Sequence, residues 1–194
     1  MFTEFQTLAL TAGKTLNPYG FALNGGFALR AHGLVNRPHV DLDFAANTLE
    51  DGKLDEATLE LMTLLRGMGA LVFEVSRGET WRRLSVELGE FPILVDLAVI
   101  PRLLEPVEDK EWGLVYAEED AVCHKVNALH DRAASQDYDD YDNIMRSERW
   151  TAERIVSEIH ARGLSVDFGH LHDQLMRGGP RFAAYAAAYP DTSV

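Results

Sequence analysis

Asn24-Gly25-Gly26-Phe27-Ala28-Leu29, followed by Arg37-Pro38-His39-Val40-Asp41-Leu42-Asp43, is the stretch that decides how this chain is read. The apolar run Phe21 to Leu23 before it reads as a strand, and Gly25-Gly26 interrupts that run ahead of a short helix. Two glycines between a strand and a helix let the backbone approach a phosphate closely, and the N–H groups at the helix start favour an anion. Asp41 and Asp43 stand two apart on the next strand-like run, Asp41 to Ala45, so their carboxylates project from one face. Their repulsion is costly unless a cation sits between them. Mg²⁺, with Mn²⁺ as the alternative, takes hard oxygen ligands and retains waters and phosphates, which suits such a pair. An isolated D-x-D pair more often lines the wet face of an edge strand, so the rest of the chain has to decide.

Asp96 is the first feature that does. It lies inside Ile93-Leu94-Val95-Asp96-Leu97-Ala98-Val99-Ile100, an otherwise apolar run that reads as a buried strand, where a lone charge is expensive. If that strand neighbours the one carrying Asp41 and Asp43, Asp96 becomes a third carboxylate, and two metal ions about 3.5–4 Å apart fit among them.

Working outward, a helical stretch from Leu54 to Met68 precedes three strand-like runs, Ala70 to Ser76, Arg82 to Leu88 and Pro92 to Ile100. The short links around Gly78 and Gly89 imply antiparallel neighbours. After Pro101 and Pro106 an acidic linker leads into helical periodicity from Glu118 onward, punctuated by Gly163 and Gly178-Gly179. The expected fold class is therefore α+β. A mixed β-sheet flanked by helices occupies residues 1–105, and a mainly helical portion occupies residues 106–194.

Composition narrows the function classes. The chain has 18 Lys plus Arg against 31 Asp plus Glu, a formal charge of −13, which tells against nucleic-acid binding by bulk charge. The acidity is spread over both halves. With one cysteine, Cys123, no internal disulfide forms, and a buried inert thiol in a reducing cytoplasm is the expectation. The first residues carry Glu4 and no basic stretch, and no apolar run reaches the roughly 18–20 residues of a membrane span, so neither secretion nor a membrane is expected. Trp81, Trp112 and Trp150 are scattered away from basic clusters and read as packing residues rather than a base-stacking platform.

A second constellation follows the acidic linker. Lys125, Ala128 and Arg132 are three and four apart and share one helical face, so both cations can address one target, for which a triphosphate is the natural choice. Asp137, Asp139, Asp140 and Asp142 follow. No glycine stands at an EF-hand position among them, and apart from Asp140 they read as a solvated face.

The glycine pair, the D-x-D pair and a third Asp on a later strand, in that order, resemble the nucleotidyltransferase superfamily. The resemblance implies a nucleotidyltransferase-like sheet and a metal-dependent attack by an acceptor hydroxyl on the α-phosphate of a nucleoside triphosphate, with pyrophosphate leaving. Gly25 and Gly26 would then hold the triphosphate, Asp41 and Asp43 would ligate metal, and Asp96 would ligate metal or act as base. Lys125 through Asp140 resembles the K-x-x-A-x-x-x-R-x-x-x-R-D-x-x-D-L pattern of the AbiEii/AbiGii toxin family, in which a lysine and a downstream aspartate, here Lys125 and Asp140, complete the nucleotide site. The matches span about residues 20 to 145. Gln136 stands where that family has a second Arg, and Tyr141 where it has Leu.

His39 is the other departure: the toxin family has Ser or Thr between Arg37 and Asp41. Arg-Pro-His-x-Asp-Leu-Asp is instead similar to antibiotic nucleotidyltransferases of the lincosamide and aminoglycoside type, which carry His at this place. His39, two residues before Asp41, points to the side of the aspartates if the strand starts early and would then orient a phosphate or a carboxylate, a loop histidine being the alternative; Arg37 beside it is a further candidate for binding the nucleotide. Three readings follow. The first is a toxin of a toxin–antitoxin pair that modifies tRNA and has a cognate antitoxin protein. The second is an enzyme acting on a small hydroxylated acceptor, and the third is an inactive fold that binds a nucleotide or a partner. Retention of Asp41, Asp43, Asp96 and Lys125 argues against the third, because without catalysis charges in or near a core have no evident use.

Overall fold

The computed structural model describes residues 2–38, 41–88 and 92–189. His39 therefore lies outside the described residues. The chain forms two compact units, one of residues 1–31 and 36–117 and the other of residues 32–35 and 118–194.

The first unit is built on a seven-stranded mixed sheet. In chain order the elements are α1 (Phe2–Leu16), β1 (Phe21–Asn24), α2 (Gly25–Ala31), β2 (Asp41–Ala46), α3 (Lys53–Gly67), β3 (Leu71–Arg77), β4 (Trp81–Glu87), β5 (Ile93–Val99), β6 (Val107–Asp109) and β7 (Gly113–Val115). Across the sheet the order is β3-β4-β5-β2-β1-β7-β6. The β3–β4 and β4–β5 links are antiparallel hairpins, as their lengths require, whereas β2 and β5 run parallel. A parallel pair needs a long crossover, which the segment from α3 to β4 supplies.

Period-two alternation gives the central strands two different faces. Leu84, Val95 and Leu42 align across β4, β5 and β2 and are fully buried. They form one core with Leu54, Ala57, Leu61 and Leu65 of α3 and with Leu8, Ala12 and Leu16 of α1. At ~25 cal/mol per Å² of apolar surface, burying one such leucine contributes about 1.5–3 kcal/mol, so this face accounts for much of the unit's cohesion. The residues between them, Asp41, Asp43, Asp96 and Arg83, lie on the opposite face.

Residues 106–117 differ from the sequence expectation. Instead of opening the helical portion they form β6 and β7, and β7 extends the sheet beside β1, with Leu23 opposite Val115. Each strand is three residues long, too short for a period-two signal to stand out in the sequence.

The second unit is helical: α4 (Glu118–Asp131), α5 (Ser135–Arg146), α6 (Ala152–Ala161), α7 (Phe168–Arg177) and a short α8 (Ala183–Ala186). Thr151 caps α6 by accepting from the Arg154 N–H, and Asp167 caps α7 by accepting from Gly169 and His170. Two buried ion pairs tie these helices together. Asp120 of α4 meets Arg162 at 2.7 Å, and both side chains are almost wholly enclosed.

The other pair centres on Asp137, which is fully buried and accepts from Lys125 at 3.0 Å and from Arg132 at 2.8 Å and 3.0 Å. Asp137 and Asp142 were expected on a solvated face, and both are buried: Asp137 because two cations compensate it, Asp142 with Tyr185 and Arg146 as partners. Burial pushes the Asp137 carboxyl up, but hydrogen bonds from Arg132 and the charge and hydrogen bond of Lys125 outweigh it and leave the pKa lowered. Cys123 is buried as expected, and burial raises its thiol pKa to about 12. Trp112 and Trp150 are packing residues, whereas Trp81 is 39% exposed on β4.

Removing the Asp137 carboxylate leaves the buried Lys125 ammonium with Asp140 as its carboxylate partner and breaks the Arg132 pair. Asp137→Ala is expected to lower the unfolding free energy by about 1.5–3 kcal/mol, measured by urea denaturation near neutral pH. Because the folded-state pKa of Asp137 is depressed, its contribution is present above the ordinary aspartate value and is lost as pH falls through the folded value. The Asp137→Asn variant should accordingly lose less stability on acidification than the wild type.

Candidate active site

Register assembles the site. On antiparallel β1 and β2, Asn24 faces Asp43; on parallel β2 and β5, Asp43 faces Asp96; on antiparallel β5 and β4, Asp96 faces Arg83. One row thus crosses four strands as Asn24, Asp43, Asp96 and Arg83. Asp41, two residues before Asp43, heads the adjacent row opposite Leu94. One ligand oxygen from each of Asp41, Asp43 and Asp96 lies within 4.8 Å of the others, and all three residues are half-buried.

Three carboxylates at this spacing repel one another, and like charges directly opposite on neighbouring strands destabilise a sheet. A divalent cation bridging them removes that cost. The oxygen-only donor set on rigid strands matches Mg²⁺ or Mn²⁺ and is unlike the nitrogen and sulfur donors zinc favours. The residues therefore fit the metal that the sequence suggested.

Gly25 has a more specific task than freeing the backbone. It sits at the start of α2 with φ +61°, and a Cβ added there would lie 2.0 Å from Asp43 Oδ2. The side chain of Asp43 thus occupies the space where any other residue at position 25 would place its first carbon. Gly26 is buried in the first turn of α2. Arg37 follows that helix, its carbonyl accepting from Arg30 at 3.1 Å and its own guanidinium donating to the Pro38 carbonyl at 3.1 Å.

Arg83 is the residue that sequence reasoning passed over. Its Nε donates to Asp96 Oδ1 at 2.7 Å and its Nη2 to Oδ2 at 2.6 Å, a two-pronged pair on a guanidinium that is 42% exposed. The Asp96 hydrogen bond raises the Arg83 pKa, and the charges of Asp41 and Asp43 add to the effect, so the guanidinium feels all three acids. Its neighbour Arg82 points to the other face, where it binds Asp55 at 2.7 Å and the carbonyls of Gly78 and Trp81. The signal was present in Trp81-Arg82-Arg83-Leu84-Ser85-Val86: with Leu84 and Val86 facing the core, Arg83 must face the aspartates.

Lys125, Arg132 and Asp140 form a cluster of their own in the second unit. Lys125 Nζ is 2.9 Å from Asp140 and 3.0 Å from Asp137, and its side chain is only 6% exposed. Lys125 on α4 and Arg132 just past its end do address one target, which within the chain is Asp137.

Solved structures share this architecture. JHP933 from Helicobacter pylori is similar over 90% of this chain and 75% of its own, with a TM-score of 0.59 and 15% identity. The antibiotic-resistance factor ANT(2'')-Ia is similar over 82% of this chain and 89% of its own at a TM-score of 0.54 and 15% identity. The structure of ANT(2'')-Ia with adenylyl-2''-tobramycin gives a TM-score of 0.52 at 16% identity, covering 81% of this chain and 96% of that one. At these identities the likeness establishes a nucleotidyltransferase-like fold. No curated protein sequence matches. The family profile described as nucleotidyl transferase AbiEii toxin, type IV toxin–antitoxin system, matches residues 16–174, and the chain belongs to that family. It is thus a nucleotidyltransferase, with a nucleoside triphosphate and an acceptor as its reactants.

The position-25 geometry yields a test. Gly25→Ala combines a left-handed backbone with a Cβ that displaces Asp43, so it should cost about 1–3 kcal/mol in urea unfolding and lower nucleotidyl transfer at least tenfold. Wild-type transfer by this variant would show that Asp43 is free to move.

Proposed function

We propose that this protein transfers a nucleoside monophosphate from a nucleoside triphosphate to an acceptor hydroxyl with a divalent metal held by Asp41, Asp43 and Asp96, and that it is the toxin of a toxin–antitoxin pair acting on tRNA. The convergence of the three carboxylates within 4.8 Å of one another carries the chemical part of this reading. The match to the AbiEii family over residues 16–174 supports the biological part.

Bound Mg²⁺ or Mn²⁺ would neutralise charge on the triphosphate and favour the ionised form of the acceptor hydroxyl. The protein's residues supply the rest. Asp41 and Asp43 ligate metal from one strand, and Asp43 is seated by the missing side chain at Gly25. Asp96 ligates metal or accepts the proton as the acceptor oxygen bonds to the α-phosphorus and the bond to the pyrophosphate oxygen breaks. For Gly25 and Gly26 a part in holding the triphosphate rests on the superfamily motif. For Lys125, Arg132 and Asp140 a part in nucleotide binding rests on the family motif, and for Arg37 and His39 on the Arg-Pro-His run ahead of the aspartate pair.

A small hydroxylated acceptor is the second reading, favoured by the formal charge of −13, which suits a cationic molecule better than a polyanion. Lys125 is enclosed, and both it and Arg132 are paired with Asp137, which weakens them as contacts for a polyanion. We place the protein in the cytoplasm; no helix among the described residues is long and apolar enough to cross a membrane.

One assay separates these readings. Purified protein is incubated with Mg²⁺, each labelled nucleoside triphosphate, total tRNA and a panel of aminoglycosides and lincosamides. Label on tRNA is expected; label on a drug selects the second reading, and an active preparation that labels nothing overturns both. Asp41→Ala and Asp96→Ala should each reduce transfer by at least ~10³-fold while the circular dichroism spectrum stays native, a loss consistent with removing metal-ion catalysis. Transfer near the wild-type rate in either variant would remove that residue from the metal site.

A further inference from the structure

Arg83 stands where the metal reading leaves no role for it. Asp96 offers two carboxylate oxygens, and Arg83 engages both, at 2.7 Å and 2.6 Å. A carboxylate whose two oxygens each accept from a planar guanidinium keeps lone pairs for a cation, but its charge is already partly neutralised, and bringing a second positive charge close to the first is unfavourable. The strand register anchors the backbone of Arg83 beside that of Asp96. It lies directly opposite Asp96 on β4, in the same row as Asp43. The fold therefore places a cation of its own beside the carboxylate triad.

We propose that Arg83 is a built-in counter-ion that competes with the divalent metal for Asp96, a positioning residue that keeps the metal site only partly available until nucleotide arrives. This inference rests on the metal-site reading above but not on any identity of the acceptor. In the free protein the guanidinium neutralises Asp96 and relieves the repulsion among the three acids. Asp41 and Asp43 remain to take the first metal. Full engagement of Asp96 by a metal is favoured when Arg83 releases it, and the Arg83 side chain, 42% exposed, borders solvent. A triphosphate that arrives with its metal brings enough negative charge to draw the guanidinium off, so nucleotide binding and completion of the metal site are coupled. Ordinary support of a ligand by an outer hydrogen bond predicts the reverse, since a partner that orients a ligating carboxylate strengthens metal binding.

The two effects have opposite signs in a binding measurement that involves no catalysis. Mn²⁺ is titrated into the free protein, without nucleotide or acceptor, and followed calorimetrically for the wild type, Arg83→Gln and Arg83→Lys. Arg83→Gln is expected to bind Mn²⁺ about tenfold more tightly, the worth of one charge-assisted pair discounted for a half-exposed guanidinium. Arg83→Lys, which keeps the charge but not the fork, should fall between the two. Affinity that is unchanged or weaker in Arg83→Gln overturns the proposal. Asp41→Asn is the control on the site itself: if it leaves Mn²⁺ affinity untouched in both backgrounds, the metal-site reading fails, whereas a loss of affinity there with no gain in Arg83→Gln removes only the role of Arg83.

A wild-type measurement covers the case in which the variants do not fold. The Arg83 Nε–H resonance, assigned by nitrogen-15 labelling, should report a slowly exchanging, hydrogen-bonded proton in the metal-free protein. It should move toward the position of a solvated arginine on saturation with Mg²⁺ and a nucleoside triphosphate. A resonance unmoved by that addition overturns the exchange.

Discussion

Three like charges on neighbouring strands are the constraint around which the first unit is arranged. Asp43 and Asp96 face each other across a parallel pair and Asp41 lies two residues away, so the sheet carries an electrostatic cost at its centre. The surrounding structure contains that cost in three ways. The opposite face of the same strands is packed against α1 and α3 in a continuous apolar core, which holds β2 and β5 in register. Gly25 yields its side-chain volume to Asp43. Arg83 supplies a positive charge from the next strand over. Each is a consequence of sheet geometry, and each keeps the three carboxylates close together.

The second unit handles its charge differently. Asp120 and Asp137 are fully buried, and each has a cation within hydrogen-bond distance. Such pairs contribute little net stability over well-packed apolar residues, because desolvation offsets much of the attraction. Their effect is on specificity of packing: Lys125 and Arg132 on and after α4 both reach Asp137 on α5, which fixes how those helices meet. The net charge of −13 is thus no uniform coat. Part of it is buried and compensated here, and part is concentrated in the carboxylate triad of the first unit.

Much of this was readable from residue order. The runs Ala70 to Ser76, Arg82 to Leu88 and Pro92 to Ile100 predict three antiparallel strands, and β3, β4 and β5 fall within about a residue of them. Period-two alternation and turn glycines carry that information locally. The segment 106–117 escaped because a three-residue strand has no periodicity of its own; β7 joins the sheet through β1, far away in the chain, and β6 follows by pairing with β7. Asp137 and Asp142 escaped for a related reason: a run of acids looks solvated until the cations and hydroxyls that cover it are known.

By itself the sequence determined the class of chemistry. The glycine pair, the D-x-D spacing and an aspartate inside an apolar strand are local patterns, and local patterns suffice to specify which side chains share a face of a strand. It also carried the family, through the ordered spacing of those residues and of Lys125 through Asp140. Only the tertiary structure decided which strand lies beside which. That choice put Asp96 opposite Asp43 and Arg83 opposite Asp96, and it made Gly25 the position whose missing side chain seats a carboxylate. Strand neighbours are set by the burial of the whole apolar face, a sum over many distant residues that no short window of sequence contains.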